Sequence, residues 1–361
     1  MRSFMFLAAL LLPALLLPTL AQAENSTSQQ EEKTALPSAI TLHGDSTEHS
    51  IIILYSPGSK LQQTIYEKLV KSLTHISSNI HLSTITDDTE YVPENYQPEL
   101  VVTLGANNID AANRHFPKTE KLLIISNPGK YDADRKNNID SNNTLLYMTQ
   151  PYCRQIRFIQ LINHRWKTIS YISGEQNPVD EDTIRRCANK FGMSTHKVWA
   201  SDNAHLSHDI KDALHHSDLL LALPDRTIYN SKTVKNILLT SYRIRKPVIA
   251  FSINFVNAGA IAAIYSDIQQ ISQSASTLIW QYFSNAHAFN KKINYPETFD
   301  ISFNRQVFKA LGLDIPDPED IKNKLTSTGN LENSSPPKQT MVQPTGPVNV
   351  QVNNEAQEDT R

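Results

Sequence analysis

The stretch SDLLLALPDRTIYNSKTVKNILLTSY, Ser217–Tyr242, decides the fold. Its apolar run Leu219–Leu223 stops at Pro224-Asp225-Arg226, and a helical pattern takes over within a few residues. An unbroken apolar run marks a strand buried on both faces, as in a parallel sheet covered by helices. The same unit recurs along the chain. SIIILYS (50–56), IHLSTIT (80–86), PELVVTLG (98–105), KLLIIS (121–126), TISYIS (168–173) and PVIAFS (247–252) read as further strands. Between them lie helical patterns such as KLQQTIYEKLVKSL, where Leu61, Ile65, Leu69 and Leu73 recur every four residues and make one apolar face. The polar stretch 129–144 breaks the rhythm between two groups of strand–helix units. The expected fold class is therefore α/β, with two doubly wound parallel-sheet lobes joined by a multi-strand hinge.

Boundaries follow from composition. MRSFMFLAALLLPALLLPTLAQA, residues 1–23, has a positive start, an apolar run and a small-residue cleavage site, the pattern of a cleavable secretory signal peptide. Residues 24–46 read as a flexible leader. Lobe 1 is expected to span 47–145 plus about 261–290, and lobe 2 to span 146–260 plus about 295–325. Residues 326–361, rich in Pro, Asn, Gln and Ser, read as a disordered tail. After cleavage nothing would span the membrane, and the expected location is the periplasm. Cys153 and Cys187 read either as one disulfide or as two small buried hydrophobes.

The whole chain, 361 residues with 40% hydrophobic content and a formal charge of −2, offers no basic field for nucleic acid. With 10 glycines it has little material for a glycine-rich nucleotide loop. Hydrolase elbows, zincin helices and Walker loops are absent from the sequence, so no enzyme and no cofactor is expected. His205, His208, Asp212 and His216 share one helical face at 100° per residue. That face reads as solvated, with Leu206, Ile210, Ala213 and Leu214 packing behind it, and no metal site is expected there.

Ligands of open α/β sheets bind beyond the carboxyl ends of the strands. Those ends are rich in hydroxyl, amide and backbone donors. They give the candidate ligand residues Ser56, Ser59, Ala106, Asn127, Tyr152, Glu175, Asn177, Asp225, Arg226, Tyr229, Ser252 and Asn254. Helix N-termini after Ser56 and Gly105 would favour an anion, and Asp225 a ligand cation. For each position the competing reading is turn or cap chemistry, for which Ser, Asn and Asp are chosen anyway. Tyr55, Tyr152, Tyr229 and Phe255 read equally as a stacking wall or as packing around the hinge.

The region from Leu219 to Ile279 resembles the signature of the ABC-transporter substrate-binding protein family that includes tryptophan-binding members, one of the type I periplasmic binding proteins. The resemblance rests on Pro224-Asp225-Arg226, Pro247-Val248-Ile249 and Gly259-Ala260-Ile261-Ala262. TLGANNIDAANR and LLIISNPG extend it into the first lobe, to about Ile51–Leu325 overall. The family's Thr-Asp-Pro loop is Ser126-Asn127-Pro128 here, Asn143-Thr144-Leu145-Leu146 replaces its glycine-rich entry, and Arg226 stands where a small polar residue is usual. The resemblance implies capture of a small polar ligand, an amino acid or similar, by hinge closure and its delivery to an ABC permease in the inner membrane. A ligand sensor or adaptor on the same fold is the alternative function, and a diverged hydrolase a third.

Overall fold

The computed structural model describes residues 49–76, 80–85, 97–126, 142–174, 179–200 and 205–332. The expected signal peptide, the 24–46 leader and residues 333–361 lie outside them. Among the described residues the chain forms two six-stranded sheets. The first holds β1 (His49–Leu54), β2 (Ile80–Ile85), β3 (Leu100–Leu104), β4 (Glu120–Ile125), β5 (Asn143–Tyr147) and β11 (Ile293–Asn294). The second holds β6 (Thr168–Gly174), β7 (Ser194–Ala200), β8 (Leu219–Leu221), β9 (Val248–Ala250), β10 (Ala262–Tyr265) and β12 (Asp300–Phe303). Helices α1 (Lys60–Ile76), α2 (Ile109–His115), α3 (Tyr152–Ile162), α4 (Glu181–Lys190) and α5 (Leu206–His215) alternate with the strands. They are followed by α6 (Val234–Ile244), α7 (Ile253–Ala258), α8 (Ile268–Ser284), α9 (Arg305–Leu311) and α10 (Pro318–Glu332).

The sheet orders are β11-β5-β4-β3-β1-β2 and β12-β10-β9-β8-β6-β7. Each is the same doubly wound order, 2-1-3-4-5 with a sixth strand added at the far edge, although no repeat is visible in the sequence. All pairings are parallel except β12 with β10, an antiparallel edge whose direction the sequence did not disclose. The expected α/β class with two parallel-dominated sheets is borne out.

Why the strands read as unbroken apolar runs is visible in the packing. Along β1, Ile51 and Ile53 enter a core shared with α1 and α8, while Ile52 and Leu54 enter a second core on the opposite face. In β8, Leu219 and Leu221 face one core and Leu220 the other. Alternate side chains point to opposite faces, so a sheet covered on both needs apolar residues at every position. The sequence reading passed over β7, because STHKVWA is an exposed edge strand in which Val198 alone is buried.

Three boundaries move. The return to the first sheet's side, expected from about residue 261, begins after Tyr265, since β10 pairs with β9. The first crossing starts at Met148, because Leu145–Tyr147 still belongs to β5. Residues 326–332 of the expected tail continue α10. There the Thr326 and Ser327 hydroxyls donate to the carbonyls of Lys322 and Lys324, and Ile321 and Leu325 anchor the preceding turns in the core. Of the two readings of the cysteines, the structure takes the bridge. Cys153 of α3 and Cys187 of α4 are joined as a disulfide with their Cα atoms 4.8 Å apart.

Candidate functional site

The chain passes between the sheets three times, at Met148–Pro151, at Ser266–Asp267 and at Tyr295–Phe299. Polar side chains tie these crossings together. Gln150 donates from Nε2 to the Ser266 hydroxyl at 2.7 Å, and that hydroxyl donates to the Thr298 carbonyl at 2.6 Å. The Arg154 guanidinium, buried at the start of α3, reaches Gln150 Oε1 at 2.6 Å and the Pro296 carbonyl at 3.0 Å, and lies over the Phe299 ring. Gln155 Nε2 donates to the Gln150 carbonyl at 2.7 Å. One residue from each crossing is therefore held in a single hydrogen-bonded knot, and Arg154 braces the first against the third.

Beside this knot lies a cavity of about 600 Å³. Its walls come from both halves of the molecule. The residues just past β4 (Ser126), β5 (Met148–Gln150), β8 (Pro224), β9 (Phe251–Asn254) and β10 (Ser266–Gln269) converge on it, with Leu61 and Lys68 of α1 closing one side. These are carboxyl ends of parallel strands, where such folds bind ligands. The volume falls within the roughly 300–1,000 Å³ typical of small-molecule sites. Phe251, Ile264 and Ile271 give it an apolar wall. Lys68, whose ammonium donates to Gln269 Oε1 at 3.1 Å, and Asp267 bring one charge of each sign. Asp267 also caps α8 by accepting from the Gln270 N–H at 2.7 Å. Burial pushes the Tyr265 hydroxyl above the usual tyrosine value, with Asp300 and Asp267 adding to the effect, so it faces the cavity as a neutral group.

Of the sequence-named candidates, Ser252 and Asn254 line this cavity. Asn127, Glu175 and Asn177 lie outside the described residues. Of the remaining seven, six are engaged within their own loop or core, and Arg226 is exposed. Ser56 is buried, and its hydroxyl accepts from Asn107 Nδ2 at 2.6 Å while its N–H donates to Gln62 Oε1 at 2.7 Å. Ser59 Oγ accepts from the Gln62 N–H at 3.4 Å at the start of α1. Ala106 opens the short turn after Gly105. That glycine sits at φ 87°, where an added Cβ would lie 2.4 Å from Gln62 Nε2.

Asp225 is buried and spends Oδ1 on its own turn, accepting from the Thr227 N–H at 2.8 Å, the Thr227 hydroxyl at 2.6 Å and the Ile228 N–H at 3.3 Å. Arg226 is exposed beside it. Tyr229 is buried behind the cavity wall, edge-on to Phe251 and Phe255, and burial drives its hydroxyl pKa far above normal, with Asp225 contributing. Tyr152 packs on the core between α3 and β6, and Tyr55 stacks on Tyr66. For the four aromatics weighed as a stacking wall, packing is the role observed. The aromatics that do reach the cavity, Phe251 and Tyr265, went unread. Phe251 is the residue immediately before Ser252, so the signal was one position away.

Residues 149–324 match the model of the family described as ABC transporter substrate binding protein, a family of solute-binding proteins. The family resemblance read in the sequence is borne out over that span. No curated protein matches the chain. Among solved structures, a ligand-free, open substrate binding protein with adhesive properties from Clostridium difficile is similar with a TM-score of 0.57 and 15% identity, covering 75% of this chain and 97% of that one. A conserved domain protein from Vibrio cholerae gives a TM-score of 0.53 at 17% identity, over 77% of this chain and 98% of that one. An ABC domain in complex with L-Trp from Streptococcus pneumonia gives 0.52 at 14% identity, over 76% and 98%. At these identities the likeness is one of fold, the type I periplasmic binding architecture. No helix among the described residues is long and apolar enough to cross a membrane.

Proposed function

We propose that this chain is the exported solute-binding component of an ABC-type uptake system. It closes its two halves over a small polar ligand, an amino acid or similar, and passes it unchanged to an inner-membrane permease. The observation that carries the proposal is the cavity of about 600 Å³ whose walls alternate between the halves and whose floor is the three-crossing knot. Closure of a hinge there strengthens contacts to a molecule in the cavity from both sides, so a ligand shifts the population toward the closed form. An apolar wall with one ammonium and one carboxylate at its rim suits a zwitterion with an apolar side chain. The leader-like residues 1–23 and the Cys153–Cys187 disulfide both support an oxidising, extracytoplasmic location.

A thermal-shift screen with L-amino acids, dipeptides and nucleosides tests this, with L-tryptophan first because a protein of the same fold holds it. A true ligand at a hundredfold excess over Kd stabilises by about 2.7 kcal/mol. The Asn254→Trp variant, which fills the cavity from an exposed position, is expected to abolish that shift while keeping the unliganded Tm. A shift that survives Asn254→Trp places binding elsewhere and sinks the cleft.

A further inference from the structure

At the opposite end of the first sheet three potential ligand atoms converge from three separate segments. His49 opens β1, Glu99 immediately precedes β3, and His287 follows α8. His49 Nδ1 lies 2.9 Å from Glu99 Oε2, and His287 Nε2 lies 3.6 Å from the same oxygen. All three donor atoms fall within 4.8 Å of one another. A tetrahedral zinc ion with bonds of about 2.0–2.1 Å needs its donors roughly 3.4 Å apart, so the two edges to Glu99 require shifts of about half an ångström or less and the edge between the two imidazoles one of up to about 1.4 Å.

A plain histidine–glutamate hydrogen bond explains His49 but leaves His287 unexplained. His287 is brought to the carboxylate by two successive non-glycine residues in the left-handed region, Ala286 at φ 50° and His287 at φ 59°. The surroundings hold the three side chains in place. The His49 ring stacks on Phe283 at 4.1 Å, and both Phe283 and Tyr282 meet the His287 ring edge-on. Glu99 is pinned through its backbone: its N–H donates to the carbonyl and hydroxyl oxygens of Ser50, and its carbonyl accepts from the Tyr282 hydroxyl at 2.9 Å.

A second His/Asp group is weaker on the same criteria. Asp212 and His216 belong to one helical turn, His216 Nδ1 already lies 2.9 Å from the Asp212 carbonyl, and His196 is 3.7 Å from the carboxylate.

We propose that His49, Glu99 and His287 form a zinc-class divalent metal site, with an open fourth position, that clips the end of α8 to the first strands of the sheet. Two imidazoles and one carboxylate are a zinc donor set rather than the all-oxygen set of calcium or magnesium. The site is separate from the ligand cavity. It stands at the amino ends of β1 and β3, roughly 15–20 Å along the strand from the carboxyl ends.

The test uses the full exported chain without a histidine tag, stripped with chelator and titrated with zinc chloride by calorimetry. One ion per chain is expected at the tightest site. His49→Phe, which keeps the stack on Phe283, and His287→Asn, which tolerates the left-handed backbone, are each expected to weaken that uptake roughly a hundredfold or more. His216→Ala is expected to leave it unchanged, and Asn254→Trp likewise, which separates this site from the ligand cleft. Absence of uptake by the native chain overturns the assignment, as does tight uptake that persists in His49→Phe and His287→Asn or disappears in His216→Ala.

Discussion

Asp225 shows how one side chain supports two readings until its neighbours are in place. In the sequence it is a carboxylate at a strand tip, suited to a ligand cation. In the fold its Oδ1 receives three donors from Thr227 and Ile228 and organises the turn leading toward α6. Asp225→Ala is therefore expected to cost about 1–2 kcal/mol of stability by urea unfolding; a loss of ligand affinity with unchanged stability would instead make it a ligand residue. Tyr282 carries a second prediction. Burial, then the charges of Glu120 and Glu99, push its hydroxyl up to about 12, above the unfolded value of about 10. The folded state thus holds the proton more tightly than the unfolded state. Its contribution is complete below pH ~10 and is lost as the pH rises towards 12. Tyr229 and Tyr171 are shifted in the same direction, chiefly by burial. Tyrosinate absorbance should accordingly lag behind that of free tyrosine and appear together with unfolding; full titration near pH 10 with the fold intact would contradict the burial of these rings.

At the scale of elements, the disulfide ties α3 to α4 on the face of the second sheet, across a sequence separation of 34 residues. Closing a loop of that length restricts the unfolded chain by about 3–4 kcal/mol in the chain-entropy model. Replacing both cysteines by serine should lower the unfolding free energy by about 2–4 kcal/mol and leave the far-UV spectrum unchanged; no change in stability would mean that the bridge is not formed in solution. The two-faced strands were legible because a sheet covered on both sides leaves no position for a polar residue, as Ile51–Leu54 shows. The edge strands were not. β7 sets His196 and Lys197 side by side at an edge where Val198 alone is buried, and β11 has two residues, too few to carry a period.

Across the whole molecule, the doubly wound halves could be read from local patterns, whereas the site could not. Ser and Asn recur at nearly every strand end because turns and caps need them, so their presence does not separate Ser56, which is bonded within its own loop, from Ser252, which faces the cavity. What separates them is the meeting of Gln150, Ser266 and Thr298 from three distant stretches of chain. The buried Arg154 and Gln155, adjacent polar groups in the first turn of α3, were the one sequence signal of that knot. Gln63 near the start of α1 and Lys235 near the start of α6 are exposed, and each stands at the carboxyl-end rim of its own sheet. The native cysteines are paired, so a Gln63→Cys/Lys235→Cys chain takes one spin label on each side of the cleft. The distance distribution between them, measured by double electron–electron resonance with and without a ligand found by thermal shift, is expected to move to shorter values and narrow on binding, and to stay open in Asn254→Trp. A distribution that does not change at saturating ligand would contradict capture by closure.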